Sequence, residues 1–313
     1  MLVAFAPLAA RALEPAAVAE VAAAAAMTPA EVEALLAPLV KDDTVLTRMA
    51  TPWEKKPWHQ YRALFLTEER IGKGRAFRTA NADWFAKAEA KYGVPTTMVL
   101  AILGVETFYG EKMGADAVAT SLYTLGFFHP KRGAYFRTEL GQFFRLAKDQ
   151  GWAVTEPRGS YAGAMGMGQF MPSSYRSWAV DFDGDGKIDL FHSAADAIGS
   201  VANYFAAHGW TPGGPVLVDA TVTGDPSTLL KGGLEPDRKV AALREAGVTV
   251  PDTVDAAADA RLFSFDGPTA KEYRVGFHNF YVITRYNKST MYARAAWELS
   301  QAFDAPPVAA PPK

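Results

Sequence analysis

The sequence predicts a mainly α-helical protein of the α+β class, in which a small mixed β insert interrupts a helical body. Apolar residues recur at helical spacing before residue 210 and again over 276–304. Between these regions, residues 211–275 contain the alternating segments VLVDATV and RLFSF, bounded by Gly, Pro and Asp as strands are. The 313 residues are enough for about two domains and a sizeable core.

The composition excludes several functional classes. The chain has 32 basic and 34 acidic residues, so it lacks the basic excess of a nucleic-acid-binding protein. It has no cysteine, which excludes disulfides, thiolate catalysis and a lipid-modified N-terminal cysteine. No run of about 20 apolar residues is present, so we expect no transmembrane helix.

Local patterns predict the domain boundaries. Thr28, Pro29 and Glu31 have the spacing of a capping box with proline at the first helical position. Residues 1–15 are either the remnant of a signal segment or the start of an alanine-rich first helix. The predicted parts are an N-terminal helical domain over 16–75, a core over 76–210, the β insert over 211–275, helices over 276–304 that return to the core and helical domain, and a disordered proline-rich tail over 305–313.

Glu106 is the first candidate for catalysis. It lies near the end of a segment that is apolar on nearly every side, which predicts a buried helix from Pro95 to about Gly110. Desolvation raises the pKa of a buried glutamate towards neutrality, as a general acid requires. From its position alone, Glu106 could also be exposed at the helix end, or salt-bridged to Lys112 or Arg137.

The glycine-rich segment SYAGAMGMGQFMPSSY, at 160–175, is the second candidate. Its glycines allow the backbone to approach a ligand closely. No strand precedes it, so it is not a dinucleotide fingerprint. Ser160 lacks the glycine two residues before it that a nucleophile elbow requires. The alternative is a loop packed under the core.

The segment from Asp181 to Asp189, DFDGDGKID, matches an EF-hand loop up to its ninth position. His192 replaces the glutamate expected at position 12, and Asp196 lies four residues further on. We therefore expect a structural calcium ion, and the alternative is an Asp-Gly-rich turn.

Aromatic residues lie among amides and hydroxyls at 203–205 and 277–287, a composition that suits the apolar faces and hydroxyls of a sugar. Core packing is the alternative for each aromatic residue taken alone. The five histidines show no metal-ligand spacing.

Together these motifs resemble the lytic murein transglycosylase B family (glycoside hydrolase family 103), over about residues 51–304. The segments that carry the resemblance are VETFYG, SYAGAMGMGQFMPSSY, DFDGDGKIDL, DAIGSVANYFAAHGW and NFYVITRYN. The resemblance implies a bacterial lyase with a lysozyme-like helical core. Such enzymes cleave the β-1,4 bond between N-acetylmuramic acid and N-acetylglucosamine in peptidoglycan and leave a 1,6-anhydromuramyl end.

The resemblance also implies roles for individual residues. It makes Glu106 the catalytic acid and base, and it implies no organic cofactor. The implied substrate-binding residues are Tyr61, Ser160, Gln169, Tyr204, Tyr286 and Asn287. The implied calcium ligands are Asp181, Asp183, Asp185, Lys187 through its backbone carbonyl, and Asp196, although the loop is one residue longer before Asp196 than in the family pattern.

A single carboxylate suffices for this reaction if the substrate assists. Most glycosidases use two carboxylates, but the sugar-binding motifs here offer only Glu106, because Glu111 lies about 140° around a helix from it. The alternatives are a lysozyme-type hydrolase with the same fold and a non-catalytic peptidoglycan-binding protein. A calcium sensor is disfavoured, because the chain has one such loop rather than a pair.

The resemblance implies peptidoglycan glycan strands as the binding partner and a periplasmic location after export. We further expect a monomer, other cell-wall remodelling proteins as partners, and no nucleic-acid partner.

Overall fold

The computed structural model describes residues 13–50 and 56–306. The predictions of a signal remnant and of a disordered tail fall mostly on 1–12 and 307–313, outside the described residues. No helix in the described part of the chain has both the length and the apolar character needed to cross a membrane.

The described residues form fourteen helices and seven short strands, so the predicted mainly α fold with a small β component is confirmed. The helices are α1 (Pro15–Ala25), α2 (Pro29–Leu36), α3 (Asp43–Met49), α4 (Trp58–Arg62), α5 (Glu68–Ala80), α6 (Ala82–Tyr92), α7 (Thr96–Thr107), α8 (Val118–Phe128), α9 (Gly133–Gln150), α10 (Pro172–Trp178), α11 (Ala194–Ala207), α12 (Val240–Glu245), α13 (His278–Tyr286) and α14 (Thr290–Ala302). The strands are β1 (Asp116–Ala117), β2 (Arg158–Gly159), β3 (Leu217–Val222), β4 (Arg238–Lys239), β5 (Val248–Thr249), β6 (Asp259–Asp266) and β7 (Lys271–Gly276).

The first compact unit comprises the described parts of Met1–Thr51, Gly114–Met165 and Phe170–Arg176. Helix α9 packs against α1 and α8 in this unit. At Gly141 of α9, a Cβ atom would lie 2.5 Å from the carbonyl oxygen of Val21, so glycine permits the close approach of α1. The predicted capping box of α2 is confirmed, because Thr28 and Glu31 each accept a hydrogen bond from the other's backbone N–H.

The second compact unit comprises the described parts of Pro52–Met113, Gly166–Gln169 and Ser177–Lys313. Its central helix, α7, is buried as predicted and packs against α14, α11 and α6. The prediction that α7 ends near Gly110 is wrong by about one turn, because α7 ends at Thr107. Phe108 and Tyr109 follow in the left-handed conformation, with φ of 56° and 63°. The Tyr109 hydroxyl donates a hydrogen bond to the Arg70 carbonyl (2.8 Å), which holds this sharp turn.

A five-stranded antiparallel sheet, in the order β4-β6-β7-β3-β5, lies in the second unit. Strand β3 contains all but the first residue of the alternating segment VLVDATV, and β6 contains RLFSF. One face of the sheet packs on α12 through Val240, Leu243, Leu262 and Val275. Because the two units are built from interleaved segments, the sequence-contiguous domain boundaries stay a prediction.

Candidate active site

Glu106 lies in the last turn of α7, where the helix leaves the core. The residue is partly exposed. Its carboxylate oxygen Oε1 accepts a hydrogen bond from the Tyr292 hydroxyl at 2.5 Å. Burial raises the pKa of Glu106 to about 7, and the hydrogen bond from Tyr292 opposes this rise. Both protonation states of Glu106 are therefore available near neutral pH, as a group that acts first as an acid and then as a base requires.

The partner of Glu106 is a phenol and not a cation. Arg137 pairs with Glu20 instead (2.8 Å), and the ammonium of Lys112 lies 5.0 Å from the Phe108 ring centroid. Among the described residues, no second carboxylate contributes to the pKa of Glu106. Within the part of the chain that the structure describes, Glu106 therefore has neither a charge partner to keep it ionised nor a carboxylate neighbour to share a proton.

Two buried phenols stay neutral beside Glu106. Burial and the nearby carboxylate raise the pKa values of Tyr286 and Tyr292 well above the usual range. Tyr61 also contributes to the raised pKa of Tyr292. Neutral phenols donate hydrogen bonds, so the carboxyl of Glu106 lies among donors in a largely desolvated site.

The hydroxyls of Tyr204 and Tyr286 fix the backbone around the site. Tyr286 donates to the Gly168 carbonyl (2.5 Å), and Tyr204 donates to the Arg285 carbonyl (2.6 Å). The two rings meet edge to face with centroids 4.8 Å apart. Of the other predicted substrate contacts, Asn287 is exposed directly after α13.

The glycine-rich segment passes the end of α7 at residues 166–169. The Thr107 hydroxyl donates to the Met167 carbonyl (2.8 Å) and accepts from the Gly110 N–H (2.9 Å). Gln169 has a left-handed backbone (φ 51°), and its amide nitrogen donates to the carbonyls of Met113 (3.1 Å) and Gly166 (3.0 Å). A left-handed residue that is not glycine is strained, and such strain is common at functional sites.

Ser160 belongs to the first compact unit, whereas Glu106 and the other predicted substrate contacts belong to the second. The Ser160 hydroxyl oxygen accepts hydrogen bonds from the backbone N–H groups of Ala162 (3.3 Å) and Ala164 (3.0 Å). Both bonds use the oxygen as an acceptor, so the hydroxyl hydrogen can donate to a ligand.

Three of the predicted calcium ligands converge. Carboxylate oxygens of Asp181, Asp183 and Asp196 all lie within 4.8 Å of one another. Backbone N–H groups orient them: Gly184 and Gly186 donate to Asp181, and Phe182 donates to Asp196 (2.8 Å). Burial raises the pKa of Asp196, and a bound cation would favour its charged form. Asp185 is exposed in the same loop and is not part of the converging group.

No sequence pattern marks Tyr292 as a site residue. It lies on the buried face of α14, where a tyrosine is indistinguishable by pattern from a core residue. Only the contact between α14 and α7 brings its hydroxyl to Glu106, 186 positions away in the sequence.

Comparison with known proteins identifies the chain. The model of a family described as the transglycosylase SLT domain matches residues 11–301. The chain belongs to this family. It is 43% identical over 245 residues to the membrane-bound lytic murein transglycosylase B of Escherichia coli strain K12, a match that covers 78% of this chain and 67% of the relative. The predicted family is confirmed, and the protein is a lytic transglycosylase.

Solved structures of lytic transglycosylases share the fold. The soluble lytic transglycosylase SltB1 of Pseudomonas aeruginosa is 39% identical with a TM-score of 0.85, covering 92% of this chain and 97% of that protein. The Escherichia coli lytic transglycosylase SLT35 in complex with calcium is 38% identical with a TM-score of 0.82, covering 92% and 91%. The predicted lysozyme-like transglycosylase fold is thereby confirmed for this lytic transglycosylase.

Proposed function

We propose that this lytic transglycosylase cleaves the β-1,4 bond between N-acetylmuramic acid and N-acetylglucosamine in peptidoglycan, with Glu106 as its only catalytic carboxylate. The observation that carries the proposal is Glu106, a partly exposed residue at the end of α7 whose carboxyl is desolvated and hydrogen-bonded only to the Tyr292 phenol among the described residues. A raised pKa keeps the acid protonated near neutral pH, so that it can protonate a leaving group.

In the first step, protonated Glu106 donates its proton to the glycosidic oxygen as the bond to the muramic anomeric carbon breaks. The muramic 2-acetamido oxygen stabilises the positive charge that develops on that carbon. In the second step, ionised Glu106 takes the proton of the muramic 6-hydroxyl. The 6-oxygen attacks the anomeric carbon, closes the anhydro ring and releases the acetamido oxygen, and Glu106 is protonated again.

The Tyr292 hydroxyl has a defined role between these two steps. Its hydrogen bond to Oε1 strengthens when Glu106 is ionised, because charge-assisted hydrogen bonds are stronger than neutral ones. The bond thus stabilises the carboxylate that forms when the proton leaves. The buried aromatic rings around it keep water from the anomeric carbon, so that the 6-hydroxyl reacts instead.

The remaining predicted residues bind the substrate. The hydroxyl hydrogen of Ser160 is available to donate to the substrate. The amides of Gln169 and Asn287 suit sugar hydroxyls. Among the tyrosines, Tyr286 is partly exposed and suits the apolar face of a sugar. Tyr61 and Tyr204 are largely buried, so each can offer the substrate only a small part of its ring.

We extend the proposal to a structural calcium ion held by Asp181, Asp183, Asp185, the Lys187 carbonyl and Asp196. Carboxylate and carbonyl oxygens are the ligands that calcium prefers, and three of these carboxylates already converge. The loop includes Phe182, whose ring fills the space above Gly199 of α11, where a Cβ atom would lie within 2.6 Å of the Phe182 Cβ. A calcium ion would therefore fix the loop against α11.

The calcium proposal is tested by thermal unfolding in calcium and in chelator. We expect calcium to raise the melting temperature with a dependence on concentration, since saturation at about 100 times the dissociation constant adds about 2.7 kcal/mol. Identical melting curves would contradict it. We also propose that the protein acts in the periplasm as a monomer, which cell fractionation and sedimentation velocity would test.

The reaction is tested by mass spectrometry of the soluble products of purified peptidoglycan. We expect products one water lighter than hydrolysis products from the wild type and from Glu111→Gln, the matched control, and none from Glu106→Gln. Products with reducing ends would mean hydrolysis on the same fold. Sedimentation of the wild type with the cell wall, without release of product, would mean a non-catalytic binding protein.

A further inference from the structure

The ring of Phe108, two residues after Glu106, is surrounded by three cations. The guanidinium of Arg70 lies 4.8 Å from the ring centroid, and the ammonium groups of Lys73 and Lys112 lie at 4.7 Å and 5.0 Å. Each cation interacts favourably with the ring, but the three like charges repel one another. We call Arg70, Lys73 and Lys112 the cationic patch.

The carboxylates near the patch do not neutralise it. Lys73 pairs with Glu111 at 2.8 Å and with Glu69 at 3.4 Å. Neither Arg70 nor Lys112 forms a salt bridge with any residue that the structure describes. Arg70 donates from Nη1 to the Leu64 carbonyl, and its Nε is buried without a hydrogen-bond partner. Burial also lowers the pKa of Arg70, because a desolvated cation is destabilised. An anion at this patch would remove that cost.

Aromatic contacts lead from the patch towards the catalytic carboxyl. The guanidinium of Arg70 lies 5.2 Å from the centroid of the Phe65 ring, which lies 5.1 Å from that of the Tyr61 ring. Tyr61 contributes to the raised pKa of Tyr292, which donates to Glu106. Because the ring that the three cations surround also follows Glu106 by only two residues, the patch lies beside the site, and an anion bound there belongs to the substrate or lies next to it.

We infer that the cationic patch binds carboxylates of the peptide stem that the muramic acid of the substrate carries. This inference rests on the proposed function. The lactyl group of muramic acid is linked to a peptide with free carboxylates, and the cleaved bond starts at the same sugar. The stem must therefore leave the groove close to Glu106, where unpaired Arg70 and Lys112 offer a planar guanidinium and a flexible ammonium.

The test is calorimetric titration with the disaccharide N-acetylglucosaminyl-N-acetylmuramic acid, with and without a pentapeptide stem. This disaccharide lacks the bond that is cleaved, so the wild-type protein can be used. We expect the stem to increase the affinity. Lys112→Gln should weaken binding of the peptide-bearing disaccharide about threefold, and Lys112→Glu should weaken it further. Neither should change binding of the peptide-free disaccharide, and the difference should shrink with added salt.

The matched control is Lys87→Gln, since Lys87 is also exposed and lies over an aromatic ring, 4.2 Å from the Trp84 centroid in the same unit. It should leave both affinities unchanged. Arg70→Gln should lower the affinity for the peptide-bearing disaccharide about tenfold and leave that for the peptide-free disaccharide unchanged, because Arg70 is more buried than Lys112. If that variant does not fold, the variants of the exposed Lys112 test the inference by themselves.

The inference is overturned if the stem adds no affinity, or if Lys112→Gln and Lys87→Gln have equal effects. Its failure is distinguishable from failure of the proposed function, because binding of the disaccharide requires no cleavage. Normal release of anhydro products with no effect of the stem would overturn the patch alone. Selective binding of the stem without any release of products would overturn the proposed reaction and support the patch.

Discussion

Replacing Glu106 with glutamine should make the protein more stable at pH 8 while abolishing cleavage. The pKa of Glu106 rises from an ordinary value of 4.5 to about 7 because burial destabilises the charged form. The folded state thus holds this proton more tightly than the unfolded state does. Wild-type stability therefore falls as the pH rises from 4.5 to 7. At about 1.4 kcal/mol per pH unit, the cost above pH 7 is about 3 kcal/mol.

Glutamine removes this cost, because it is neutral at every pH and still accepts the hydrogen bond from Tyr292. We expect Glu106→Gln to be about 3 kcal/mol more stable than the wild type at pH 8 in urea unfolding, and nearly equal to it at pH 4. In a chain of this size the gain corresponds to a melting temperature about 5–10 °C higher. Glu111→Gln, which alters an exposed carboxylate paired with Lys73, is the control and should show no such gain. Equal stabilities of Glu106→Gln and wild type at pH 8 would refute the reasoning.

Three further predictions concern the same unit. Tyr292→Phe removes the hydrogen bond that lowers the pKa of Glu106, so the activity that remains should decline at a higher pH than in the wild type; an unshifted rate profile from pH 5 to 9 would contradict this role. Gly104→Ala should cost about 1–3 kcal/mol in urea unfolding, since its Cβ would lie 2.7 Å from the Tyr109 hydroxyl; full stability would mean that the ring moves freely. Asp183→Asn should reduce the rise in melting temperature with calcium, and an undiminished rise would exclude Asp183 as a ligand.

The sequence was most informative where the pattern is local. The buried helix α7 was predicted because its residues are apolar on every side, and the capping box of α2 because four consecutive residues form it. The end of α7 was not predicted correctly. Aromatic residues rarely adopt the left-handed conformation, and Gly110 is the residue type at which a helix usually ends. Two contacts of Tyr109 determine that turn. Its ring lies against Gly104, which is hidden within α7, and its hydroxyl donates to the carbonyl of Arg70, which is distant in the sequence.

The candidate site was predicted from short motifs, and its electrostatics required the fold. Glu106 could be identified because a carboxylate in an apolar helix is unusual, but neither of the ionic partners suggested by the sequence is its neighbour. Tyr292 and the cationic patch depend on contacts between α7 and helices that are distant in the sequence. No sequence periodicity marks them. In the sequence, a buried tyrosine has the pattern of a core residue, and an arginine near lysines has the pattern of a solvent-exposed surface.

A lone carboxylate that serves as acid and then as base must meet two opposing requirements. It must hold its proton in the free enzyme, which desolvation at the end of α7 achieves, and it must survive as a carboxylate between the two steps, which desolvation alone would prevent. The Tyr292 hydroxyl satisfies the second requirement, because its hydrogen bond acts most strongly on the ionised form. The high pKa values of Tyr286 and Tyr292 keep both phenols from releasing their own protons to that carboxylate. In the proposed mechanism, the proton that returns to Glu106 therefore comes from the sugar, and in a site that excludes water this leads to the anhydro ring.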